Sequence, residues 1–130
     1  MTAPKHKLTK DEARRGGWAR ARAWAAWRRE SPSPAETAVR EFLTMAGVEF
    51  FSEYEIVHDT GMPQFFDIFV PAWNMAIEVD GSNGWHEYNG DFSKNLKMFV
   101  YDELKVRYCE EKGIAFVAVK NVEGLEGVIK

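Results

Sequence analysis

Apolar positions along the chain follow two periods. From Lys10 to Glu30 an Ala- and Arg-rich stretch predicts a helix, with Thr9 as its N-cap and Gly16-Gly17 as an interruption that divides it in two. Ser31-Pro-Ser-Pro34 reads as a linker that starts the next helix: Ser33 can cap, Pro34 suits the first helical position, and Glu36 has capping-box spacing. That helix carries Ala35, Val39, Phe42, Leu43 and Ala46 inward and stops at Gly47. The period then shortens. Val48–Val57, Phe65–Val70 and Met75–Val79 predict strands, the last two joined by a Pro-Ala-Trp-Asn turn. A polar loop over 87–94 leads to a helix from about Asn95 to Lys112, with Met98, Tyr101, Leu104, Tyr108 and Cys109 on its buried side. Gly113 ends it, Ile114–Val119 is another buried strand, and the tail Val122–Lys130 carries no functional signal. Helix, three strands, helix and strand make an α/β sandwich, a mixed sheet flanked by helices. The connection from Val79 to Ile114 is long enough to be a parallel, right-handed crossover.

Polar exceptions within this pattern carry the chemistry. Asp67 sits in the middle of the apolar run Phe65–Val70, and Glu78 and Asp80 close the next strand. A carboxylate among Phe, Ile and Val is costly to desolvate unless something positive holds it. No Lys or Arg occurs between residues 64 and 86, so the simplest partner is a metal ion. Oxygen ligands of this kind suit Mg²⁺ or Mn²⁺. The competing reading leaves each acidic residue on a strand face turned to water.

Composition adds a division of charge. The net charge of −3 hides nine basic residues against three acidic ones in residues 1–30, a surplus of +6, and an acidic remainder of −9. A basic helical arm (1–31) ahead of an acidic domain (32–130) points to a polyanionic partner met by the arm. Arg14, Arg15, Arg20, Arg22, Arg28 and Arg29 are the candidate phosphate contacts of the arm, with Trp24 able to stack or wedge, and Lys94 and Lys97 are candidate DNA contacts of the domain. Arg20, Trp24 and Arg28 share one helical row. The alternative is an amphipathic helix whose Trp24 and Trp27 pack on the core while its arginines are only solvated. The 130 residues suffice for one core, and no apolar run approaches a membrane span, so no membrane partner is expected. A single Cys109 excludes an internal disulfide and favours a reducing cytoplasm; with three scattered His it argues against structural zinc.

Phe-Asp-Ile-Phe-Val-Pro (66–71), Ala-Ile-Glu-Val-Asp-Gly (76–81), Trp-His (85–86), Tyr-Asp-Glu-Leu-Lys (101–105) and Lys-Gly-Ile (112–114) together resemble a known family. They are similar to the very short patch repair endonuclease branch of the PD-(D/E)XK nucleases, including phage homing endonucleases with a Glu-Asp-x-His-Asp pattern. The resemblance covers about residues 32–120 and leaves the arm outside. It implies a restriction-endonuclease-like core and Mg²⁺-dependent hydrolysis of double-stranded DNA. A bacterial or phage-encoded cytoplasmic enzyme, monomer or homodimer, is then expected. By the same resemblance Asp67 matches the metal-binding aspartate, His86 the active-site histidine, Asp102 the second aspartate and Glu36 the glutamate of the first helix. The Val79 carbonyl matches a second metal oxygen, and Glu78 falls where the broader superfamily has its second carboxylate. Two departures stand out. The lysine of the superfamily's Glu-x-Lys is replaced by Asp80, so His86, or else Lys94 or Lys97, must do its work. The clustered Cys and His of the repair enzymes' zinc site are also missing, which removes the ground for their kind of mismatch recognition.

The residue types suit the implied chemistry. A metal at Asp67 neutralises phosphate charge and acidifies water, His86 takes the proton, Asp102 holds the imidazole tautomer, and Glu36 binds a metal water or a second ion. Each also has an ordinary reading: Glu36 as a cap, His86 as a loop histidine, Asp102 as a helix-surface charge. Two other function classes remain: a nonenzymatic DNA-binding module with a degenerate site, and a metal-dependent RNA or nucleotide phosphohydrolase. Removing residues 1–30 separates them, since DNA cleavage needs the arm and small-substrate hydrolysis does not.

Overall fold

The computed structural model describes residues 9–79 and 92–129, except for the side chains of 92–101. Helices α1 (Lys10–Glu30) and α2 (Pro34–Met45) precede strands β1 (Phe51–Val57), β2 (Pro63–Val70) and β3 (Met75–Val79). Helix α3 (Phe92–Lys112), strand β4 (Ala115–Val119) and helix α4 (Val122–Ile129) complete the chain. The sheet order is β1-β2-β3-β4, with β1–β2 and β2–β3 antiparallel and β3–β4 parallel. The fold is therefore mixed α/β with a four-stranded mixed sheet. No helix among the described residues is long and apolar enough to cross a membrane.

Local signals placed most elements. Thr9 Oγ1 accepts the Glu12 N–H at 3.0 Å, and Ser33 Oγ accepts that of Glu36 at 3.2 Å. Each cap satisfies a backbone donor that the first turn leaves open. The Pro-Ala-Trp-Asn segment closes as a 3₁₀ turn over Pro71–Trp73, with Asn74 left-handed at φ 46°. Asn74 Nδ2 then donates to the Gly113 carbonyl at 2.8 Å, tying this turn to the end of α3.

Two expectations change, and one element is added. Helix α1 runs unbroken through Gly16-Gly17, because the Ala and Arg on both sides keep propagating it. The tail, for which no element was named, forms α4 and buries Leu125 against α2. Helix α3 starts at Phe92, so Phe92–Lys94 of the expected polar loop are helical.

The core lies on both faces of the sheet. Val39 and Leu43 of α2 and Leu125 of α4 meet Ile68, Val70, Ile77 and Val119. On the other face Phe66, Ile56 and Ala76 meet Cys109 of α3. Regular alternation fails in the middle of β2. Phe66 and Phe69 are three positions apart yet both stack on Tyr54, with ring centroids 6.4 and 4.6 Å away. A strict period of two would put them on opposite faces. Opposite this slip, Glu53 in β1 has φ 49°, a costly conformation for a side-chain-bearing strand residue. The irregularity marks the place where charge enters the sheet.

Candidate metal centre at the fork of β2 and β3

Beyond the Ile68–Ile77 pair the backbone ladder of β2 and β3 gives way to side chains. Glu78 Oε2 accepts the Asp67 N–H at 2.9 Å, and Asp67 Oδ2 accepts the Val79 N–H at 2.8 Å. The two carboxylates thus sit where the strands part, each held by the other strand's backbone. Lys105 of α3 forms an ion pair with Glu78 Oε1, so both Glu78 oxygens are engaged. The positive partner missing between residues 64 and 86 is therefore supplied, for Glu78, by a distant helix.

Asp67 is in a different position. Burial, and then the neighbouring Glu78 charge, push its carboxyl up to about 8, against the pull of the Val79 N–H and Lys105. Glu36 and Glu53 each offer an oxygen within 4.8 Å of an Asp67 oxygen and of one another. Both are buried, and burial raises both above the ordinary carboxylate range despite nearby arginines. Arg40 pairs with Glu36 along α2, while Arg28 reaches Glu53 Oε2 at 3.3 Å. The set of three carboxylates is thus drawn from α2, β1 and β2, brought together by the sheet and its covering helix.

Helix α1 closes over this region. Its inward row includes Trp18, Ala21, Ala25 and Arg28; Ala25 is wholly buried. The small alanines let the helix lie close to β1 and β2, and Trp18 covers Gly61, where a Cβ would come within 3.1 Å of the indole. Trp24 and Trp27 are instead 59% and 57% exposed and meet edge to face at 5.7 Å. Packing of these two indoles on the core is therefore not what the structure has. Arg22 pairs with Glu55 at 2.7 Å, and Arg29 donates to the Ser52 and Glu53 carbonyls at 3.1 and 2.6 Å. With Arg28 on Glu53, three of the six candidate phosphate-binding arginines are turned to the domain itself. Arg15 pairs with Asp11 along the helix. Arg20 borders the exposed Trp24–Trp27 groove. Arg14 lines a cleft between α1, the β1–β2 turn and α3, together with Arg28, Asp102 and Lys105.

Of the residues expected at the site, Asp67, Glu78 and Glu36 come together, and Asp102 stands on the cleft wall near Lys105. Asp80 and His86 lie outside the described residues, as do the side chains of Lys94 and Lys97, which belong to α3. Glu53 and Lys105 were not expected there. Glu53 has no signal of its own, because alternation in Ser-Glu-Tyr-Glu reads it as water-facing. Lys105 does have one: it falls inside the apolar stripe Tyr101, Leu104, Tyr108, Cys109 of α3, where a basic residue needs a reason. Cys109 is buried, and that burial pushes its thiol up to about 11, away from the thiolate form. No protein-family model, curated protein or solved structure matches the chain.

Proposed function

We propose that the protein is a metal-dependent endodeoxyribonuclease of PD-(D/E)XK type, hydrolysing phosphodiester bonds in double-stranded DNA. The observation that carries this reading is the fork itself: Asp67 and Glu78 meet where two strands part, and the Lys105 ammonium stands at Glu78. The order of the chain leaves Asp80 where a Glu-x-Lys lysine is expected; an ammonium arrives at Glu78 from α3 instead. Buried oxygens with no matching supply of arginine fit a hard cation, so Mg²⁺ or Mn²⁺ with Asp67 as ligand suits the donor set. Such an ion, when bound, supplies phosphate charge neutralisation and a more acidic water. The chain's own groups have separate tasks. Lys105 lines the cleft and offers positive charge to a phosphate there, while Arg14 on the opposite wall holds the DNA backbone. His86 is the proton acceptor in this proposal, and Asp102 its positioning partner.

Nicking of supercoiled plasmid tests the proposal. It is expected with Mg²⁺ or Mn²⁺ and absent in EDTA, and Lys105→Met should slow it by roughly 10²-fold, the scale of one lost charge-stabilising donor. Intact plasmid under every metal condition would remove the nuclease reading. Hydrolysis of a small phosphodiester without plasmid nicking would favour the nucleotide phosphohydrolase.

The arm gives a second test. Binding to duplex DNA should weaken with log[salt] at a slope of about −0.9 per phosphate contacted. Replacing Arg14 and Arg20 together should flatten that slope by about 2 for any sequence. An unchanged slope leaves α1 as a packing element only.

A further inference from the structure

We infer that Glu53, with Glu36 and Asp67, forms the ligand set of the divalent cation, and that Glu78 is not part of it. The inference rests on the metal dependence proposed above but assigns different protein ligands. Glu53 is the decisive residue. It is 1% exposed, its Oε2 faces Arg28 at 3.3 Å, and its Oε1 has no hydrogen-bond partner. A buried carboxylate oxygen left without a partner is costly, and structures keep few of them. This one belongs to a carboxylate that already offers an oxygen within 4.8 Å of Glu36 and Asp67. Arg28 on Oε2 leaves Oε1 for an ion, so the guanidinium and the cation can share Glu53.

Charge points the same way. Four carboxylates meet here, Glu36, Glu53, Asp67 and Glu78, and three basic side chains answer them: Arg40, Arg28 and Lys105. Asp67 is the acid with no ion pair among those described. Glu78 has one oxygen on the Asp67 N–H and the other on Lys105, so a cation at Glu78 would compete with an ammonium and a backbone donor already in place. Oxygens around Mg²⁺ or Mn²⁺ stand at most about 4.2 Å apart, twice a metal–oxygen bond of about 2.1 Å. The three carboxylate oxygens, all within 4.8 Å of one another, stand near that span. Glu53 holds its place in the sheet with φ 49°, a conformation that a residue with a side chain keeps only where its surroundings fix it.

Mn²⁺ titration of the full chain by calorimetry at pH 8 provides the test, beside thermal melts in EDTA. The unaltered protein should bind Mn²⁺. Glu53→Gln should weaken binding at least about tenfold without lowering the melting temperature, since the amide removes a buried charge. Glu55→Gln, on the same strand but paired with Arg22 outside the cluster, should bind as the unaltered chain does. Glu36→Gln reads the same site should Glu53→Gln fail to fold. Mn²⁺ binding lost in Asp67→Asn but kept in Glu53→Gln and Glu36→Gln overturns the ligand set and leaves metal dependence standing. Loss of Mn²⁺ in Glu53→Gln, with plasmid left intact by the unaltered protein, supports the site and overturns the nuclease. No Mn²⁺ binding by the unaltered chain overturns both.

Discussion

Asp67→Asn is expected to lose plasmid cleavage by roughly 10³-fold and, in the absence of metal, to make the protein more stable at alkaline pH. The first effect follows from losing the ligand common to both proposed ion placements. A Lewis acid is worth several kcal/mol to a phosphoryl transition state, and each 1.4 kcal/mol or so is tenfold in rate. The second effect has a defined sign. Burial and Glu78 raise the folded carboxyl from 3.8 to about 8, so between those values the folded chain holds a proton that the unfolded chain has released. Stability from this group is full below the unfolded value and is lost as pH rises through the folded one. Asparagine does not titrate and can still accept the Val79 N–H through its amide oxygen. In EDTA the variant should therefore melt above the parent at pH 8.5, and the gap should close toward pH 4. Each 1 kcal/mol is worth roughly 4 °C in a domain of this size. Mn²⁺ should then raise the melting point of the parent at pH 8.5 and leave the variant unchanged, because a ligand stabilises only the state that binds it. Parallel stability curves for the two proteins across this range would show that burial does not raise the Asp67 carboxyl.

Arg28→Ala should destabilise the metal-free protein by about 3 kcal/mol at neutral pH. The side chain itself is half-exposed, but its partner Glu53 is buried, and its loss leaves neither Glu53 oxygen with a partner. The cost comes from the stranded carboxylate and not from the missing arginine contact. Adding Glu53→Gln to Arg28→Ala should therefore restore most of the stability, although each substitution removes one half of the same ion pair. The deficit should also shrink as pH falls through the raised Glu53 value, where protonation does what the amide does. Urea unfolding of the two single variants and the double variant measures this coupling. Additive losses would mean that Arg28 stabilises α1 by packing alone, and that its contact with Glu53 is incidental.

These two expectations bear on how the arm works. Its basic charge looked like a surface for a polyanion, yet Arg22, Arg28 and Arg29 are bound to Glu55, Glu53 and the carbonyls of β1. They neutralise part of the acidic domain in place. The indoles face outward instead, with Arg20 beside them. Net charge along the sequence was a correct sum and a poor guide to direction, because a helix has two faces and only the partner element decides which one is used.

The sequence by itself determined the elements and their order. Apolar periodicity, the caps at Thr9 and Ser33, Pro34 and the Pro-Ala-Trp-Asn turn are local signals, and local hydrogen bonds answer them within a few residues. It also singled out Asp67, because a carboxylate within Phe-Phe-Asp-Ile-Phe is anomalous whatever surrounds it. The tertiary structure decided the partners. Lys105 reaches Glu78 across 27 positions, and Glu53 meets Asp67 because the register of β1 and β2 sets them opposite each other, between the pairs Ser52–Ile68 and Tyr54–Phe66. No period of two predicts a left-handed residue within a strand, and nothing in the strand pattern singles out Glu53, which the structure buries almost fully. Desolvation, which gives these carboxylates their raised affinity for protons and for cations, is a property of the assembled interior and is written in no single stretch of chain.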